Sequence, residues 1–110
     1  MADHVQVLTT TDSEERAVRL GAVITEARLA ACVQVVGPIR SLYRWDGKVQ
    51  DDREWQLHIK TTGALVPELK KAIRENHGYE VPEIIVTPII DGDEDYLTWI
   101  DEQTRKPAPS

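Results

Sequence analysis

The chain has 110 residues, with 19 acidic against 13 basic side chains, a formal net charge of −6 and one cysteine. That length holds a single domain with a modest buried fraction, and an acidic surface with no basic run beyond Lys70-Lys71 argues against a nucleic-acid partner. Cys32 alone forms no intrachain disulfide, and no apolar run approaches the ~20 residues that span a bilayer, so the expectation is a soluble cytoplasmic protein with no membrane partner.

"HVQVLTT", His4 to Thr10, alternates Val5 and Val7 with polar neighbours and predicts a first strand. Thr11 or Asp12 is placed to cap the helix that follows, with Glu14 and Glu15 as capping-box partners near the positive end of its dipole. Ala17, Leu20, Ile24, Ala27 and Ala31 recur at spacings of three and four, which predicts one apolar face and a helix reaching Ala31.

From Cys32 to Thr62 the period drops to two. Asp46-Gly47 is a dipeptide suited to a type I′ turn, because both residues of that turn take positive φ. Pairing Trp45 with Lys48 and carrying the register down sets Val36 against Leu57 and Gln34 against Ile59, which mismatches the apolar positions. One extra residue at Gly37-Pro38 restores Val35 to Leu57 and Val33 to Ile59, so a bulge is predicted there.

"TGALVPELKKAIRENHG" predicts a second helix with Leu65, Leu69, Ala72 and Ile73 on one face, Pro67 in its first turn and Gly78 as a left-handed cap. "EIIVTPI" is nearly continuous in apolar residues, which suits a central or well-covered strand. "DGDEDYLTWIDEQTR" predicts a capped third helix with Tyr96, Leu97, Trp99 and Ile100 inward or at an interface. One domain thus covers residues 1–106, and residues 107–110 form a flexible tail.

The order β-α-β-β-α-β plus a C-terminal helix is an α+β, ferredoxin-like split βαβ sandwich. Its hairpin strands, at roughly 13 residues or about 40 Å, are about twice as long as the first and last strands. Their outer halves lack partners within the chain, and a bare two-stranded arm is marginal in water. A closed homo-oligomer in which subunits complete one another's sheets is therefore expected, with Tyr43, Trp45 and Trp55 on the arm.

"LAACV", "IRSLYRWDGKV", "LHIKTT", "HGYEVPEII" and "YLTWI", in this order and spacing, resemble the CutA family of divalent-cation-tolerance proteins over nearly the whole chain. The resemblance implies a tight homotrimer with long hairpins paired between subunits, a role in the response to metal ions, and an association with copper or other divalent cations. It also implies an architecture like that of the trimeric PII signalling proteins, which bind small ligands between subunits. This chain departs from the family pattern at Gly78, where a proline is usual, and at Thr9, where some members carry a cysteine linked to copper. Asn76 stands where some members have a second histidine. Losing the thiolate removes the soft-ligand half of a copper site.

His77 matches the family's histidine and is the candidate metal ligand, aided by Glu80 or Glu83. The competing reading is a histidine in the last helical turn, favourable against the negative dipole end. Cys32, His4 and His58 are isolated from other soft donors. Asp91, Asp93, Asp95 and Glu102 fall at four positions of a calcium loop, but Tyr96 occupies the place that must be glycine, so these acids read as helix caps. Without a nucleophile elbow, phosphate loop or dinucleotide fingerprint, the chain reads as a non-enzyme with no organic cofactor. Tyr43, Trp45, Lys60, Thr61, Tyr79 and Glu80 form a candidate intersubunit cleft for a modest polar ligand, the alternative being interface packing. A PII-like signalling module and a trimeric scaffold for a partner protein are the alternative functions.

Overall fold

The computed structural model describes residues 3–109; the first two residues of the predicted domain and the last of its tail lie outside them. The strands are β1 (His4–Thr11), β2 (Cys32–Trp45), β3 (Lys48–Thr62) and β4 (Ile84–Pro88), and the helices are α1 (Glu14–Glu26), α2 (Val66–Asn76) and α3 (Glu94–Gln103), with a 3₁₀ turn at Gly63–Leu65. They form an antiparallel sheet in the order β2-β3-β1-β4, the strand order of a ferredoxin-like sandwich.

Alternation divides the sheet into two faces. Val5 and Val7 pair with Thr61 and Ile59, and with Leu57 they are buried against Ala17, Leu20 and Ile24 of α1 and Leu69 and Ile73 of α2. This one layer of helices on one face of the sheet is the core, and burying such side chains contributes about 1.5–3 kcal/mol apiece. The opposite face carries His4, Gln6 and Lys60. His4 Nε2 bonds Asp101 Oδ1 at 2.9 Å, so α3 crosses one end of this second face and leaves the remainder open.

The predicted bulge is present. Val33 faces Ile59, Val35 faces Leu57, and the register shifts between Val36 and Ile39 before running unbroken to Trp45 and Lys48. At the tip Asp46 and Gly47 have φ of 53° and 74°, the values a type I′ turn requires. At the bulge, a Cβ on Gly37 would stand 2.5 Å from Trp55 Cδ1, so the indole packs where any side chain at 37 would sit.

Four local expectations are corrected. Ser13, not Thr11 or Asp12, caps α1, accepting from Arg16 N–H at 3.1 Å; Thr11 instead donates to Ser13 O. The helix ends at Glu26 rather than Ala31, because Arg28 turns left-handed at φ 59° and Leu29 N–H returns to Ile24 O. Arg28 is held there by its guanidinium donating to the Gln103 and Glu102 carbonyls, which compensates a conformation costly for a side chain with Cβ. Gly78 is not left-handed: α2 ends by an extended His77, φ −93° and ψ 150°. Finally, β4 is an edge strand with Ile85 and Val86 exposed, not a central one. Past α3, Arg105 and Ala108 N–H both reach the Glu68 carboxylate.

Candidate functional site

The turn after α2 is built around the His77 ring. Asn76 Nδ2 first donates to Ala72 O, 2.8 Å, closing the helix. The extended His77 backbone then swings the imidazole toward β1. Its Nε2 lies 2.6 Å from Thr10 O, and its Nδ1 is 3.0 Å from Tyr79 N. A carbonyl only accepts and an amide N–H only donates, so Nε2 carries the proton and Nδ1 offers its lone pair. Burial lowers the His77 pKa, the Thr10 bond opposing and the Arg16 charge reinforcing that shift, so the neutral ring is favoured.

Tyr79 continues the corner. Its ring tilts against His77 with centroids 4.9 Å apart, and its hydroxyl donates to Glu54 Oε2 at 2.7 Å. Burial, then the Glu54 bond, pushes the phenol pKa up. The corner is therefore fastened to β1 through Thr10 and to β3 through Glu54, a carboxylate only 7% exposed.

Across from the corner stands the outer half of the arm, beyond the bulge. Tyr43 donates to Asp52 Oδ2 at 2.5 Å, and that bond is the main reason its pKa is pushed up to about 12. Between arm and corner lies a cavity of about 570 Å³, lined by Ser41, Leu42, Tyr43, Trp45 and Glu54 from the hairpin, Thr10 from β1, and Gly78, Tyr79, Glu80, Val81 and Glu83 from the corner. Four of the six candidate cleft residues, Tyr43, Trp45, Tyr79 and Glu80, are thus brought together within one chain.

Within the single chain Lys60 and Thr61 lie outside this cavity, and the expectation for them concerns a cleft between subunits. Lys60 is six residues beyond Glu54 on β3, roughly 20 Å along an extended strand, with its ammonium on Gln34 Oε1. Thr61 is buried and donates to Leu29 O at 2.7 Å. Sequence reading missed Glu54, Thr10 and Ser41, and named Glu83 only as an aid to His77. Glu54 was obscured by "DDREW", which reads as a solvated acidic run; strand alternation sharing a face with Tyr43 and Asp52 was the available signal.

His77 as placed does not fit a tight metal site. Both ring nitrogens are committed within the chain, so ligation would break the Tyr79 bond to free Nδ1, or remove the proton held on Thr10 O. No group of three His, Cys, Asp or Glu side chains able to hold an ion occurs among the described residues. His58 Nε2 is 3.0 Å from Gln56 Oε1, and Cys32 is half-buried near Tyr96 with no soft-donor partner. No helix is long and apolar enough to cross a membrane among those residues.

Fold and site together define a class: a ferredoxin-like sandwich with an overlong hairpin whose outer half and neighbouring corner enclose a small acidic and aromatic cavity. The model of the CutA1 divalent ion tolerance protein family matches residues 5–103, and the chain belongs to that family. It is 45% identical to the divalent-cation tolerance protein CutA of Thermus thermophilus, over 89% of this chain and 95% of the relative. The solved structure of the divalent cation tolerance protein from Thermus thermophilus superposes with a TM-score of 0.90 at 43% identity, covering 93% of this chain and 99% of that one. That of CutA1 from Oryza sativa gives 0.94 at 40% identity, covering 96% and 97%.

Proposed function

We propose that this protein serves tolerance of divalent cations as a cytoplasmic homotrimer, in a non-catalytic role, without holding copper or another ion tightly. The observation that carries the reading is the arm. Beyond the bulge, β2 and β3 have only each other as strand partners among the described residues, and Leu42 and Val49 near the tip are 67% and 65% exposed. A second copy adding strands to this edge covers those side chains and pairs the free backbone groups. The commitment of both His77 nitrogens supports weak rather than stoichiometric ion binding.

The test is complementation of a host lacking its own family member, grown across a copper and zinc series. Wild type and His77→Gln restore growth, while Leu42→Arg with Val49→Arg, which places charge on the joining surface, does not. Loss of rescue by His77→Gln alone, with folding and oligomer size unchanged, would overturn the weak-binding reading.

A second reading is favoured by the cavity itself. Its 570 Å³ falls in the range of small-molecule sites, which supports a PII-like role in which a metabolite bound between arm and corner alters contact with a partner protein.

A further inference from the structure

We propose that residues 105–108 form a releasable strap, latched by the Glu68 carboxylate, that holds the C-terminal end of α3 in place and closes the end of the molecule remote from the arm. Its contacts lie within one chain, at the His4 and Thr62 end of the sheet, so a second copy joined through the arm does not replace them.

The last turn of α3 is poorly matched to its own dipole. It carries Asp101 and Glu102 and no basic side chain, which sets carboxylates at the negative end of the helix. The missing positive charge arrives from elsewhere in the chain. Arg28 donates from Nε to Gln103 O at 3.1 Å and from Nη2 to Glu102 O at 2.8 Å. Arg28 is itself left-handed at φ 59°, and its own carbonyl accepts from Arg105 N–H at 2.9 Å. The end of α3 and the turn after α1 therefore fasten each other, and neither is stable by local preference.

The latch brings in α2. The Arg105 guanidinium donates to Glu68 Oε2 at 3.2 Å, and Ala108 N–H donates to Oε1 at 2.8 Å. One carboxylate thus takes donors from both ends of the strap. Glu68 stands in the first turn of α2, where the dipole favours its charge. Arg105 and Glu68 side chains are 46% and 25% exposed, so water competes at the latch and opening it leaves the core intact. Arg105, Lys106 and Pro107 also form one wall of a cavity of about 760 Å³ bounded by His4, Thr62 and Pro67, and release of the strap removes that wall.

Trypsin tests the latch on the full-length assembled protein, with intact mass as the readout. The bond after Arg105 is the cleavable one in the strap, because Pro107 blocks cleavage after Lys106. Loss of residues 106–110 is expected to be slow in wild type and about tenfold faster or more in Glu68→Gln, following the open fraction. Glu75→Gln, on the exposed face of the same helix, leaves the rate unchanged. A chain ending at Lys106 lacks the Ala108 donor and serves if Glu68→Gln misfolds. Its Thr104 and Arg105 amides should exchange about tenfold faster or more than in the full chain, with those of Leu57 and Ile59 unchanged. Equal cleavage of wild type and Glu68→Gln, or equal exchange in the full and shortened chains, would overturn the latch. Rapid loss of residues 106–110 from wild type would show the strap standing open and overturn the proposal. A matching rise in Glu75→Gln would reduce the effect to lost charge on α2 and overturn it as well.

Discussion

His77 illustrates how a residue type that suggests metal chemistry is claimed by backbone instead. Its folded pKa lies below the ordinary 6.5 because burial penalises the imidazolium. Between the two pKa values the unfolded chain binds more protons, so the neutral ring's contribution is complete above pH 6.5 and is lost as pH falls through the folded value. The melting temperature should therefore drop between pH 7 and 5 more steeply in wild type than in His77→Gln; parallel slopes would show that the ring is not desolvated as described. Tyr79→Phe strips Glu54 of its hydroxyl donor. An orphaned buried acceptor costs on the order of 1–3 kcal/mol, so denaturant unfolding should show a loss in that range, and a change below about 0.5 kcal/mol would mean that water replaces the hydroxyl freely. Sequence marked His77 as a candidate ligand and Tyr79 as a cleft residue, but their partners, Thr10 O and Glu54, come from strands 67 and 25 residues away. Such contacts leave no local pattern.

At the scale of elements, periodicity located most of the sandwich and chain context changed its edges. The bulge was legible because a single register cannot match both the Asp46-Gly47 turn and the Val33/Val35 pattern, and the mismatch fixes where the extra residue sits. The end of α1 was not legible: Arg28 in a left-handed conformation breaks local preference, and its stabilising carbonyls belong to α3, 74 and 75 residues on. Gly78 misled for the opposite reason. A glycine after a helix usually supplies positive φ, whereas here it leaves room for the Arg16 guanidinium, 2.9 Å from where a Cβ would stand. The arm's tip depends on its two residues. Asp46→Pro with Gly47→Val forces φ near −65° at one and a β-branched side chain into positive φ at the other, at a cost on the order of 1–3 kcal/mol each. Lower melting and a smaller sedimenting species are expected; unchanged values for both would show that the turn contributes nothing to the arm.

Across the whole molecule, a compact core sits under α1 and α2 while apolar side chains remain uncovered on the arm and the open sheet face. Trp45 and Trp99 are 48% and 38% exposed in the single chain, so burial within the chain does not distinguish them. The proposed assembly through the arm predicts a difference: Trp45→Ala should shift the oligomer toward smaller species at micromolar concentration, and Trp99→Ala should leave it intact. Equal shifts would move the joining surface toward α3. Tyr43, Trp45, Tyr79 and Glu80 were legible because they are aromatic or stand close to a glycine, whereas Glu54 and Thr10, which line the same cavity, carry no such local signal.

The most direct measurement of the central claim is native mass spectrometry of metal-stripped protein, with and without a few equivalents of Cu(II) or Zn(II). The expected spectrum is a trimer that stays bare, or carries ions without fixed stoichiometry, in both wild type and His77→Gln. A monomer would contradict assembly through the arm. A trimer carrying three ions that disappear in His77→Gln would turn the corner at Asn76–Glu80 from a structural clasp into a metal site.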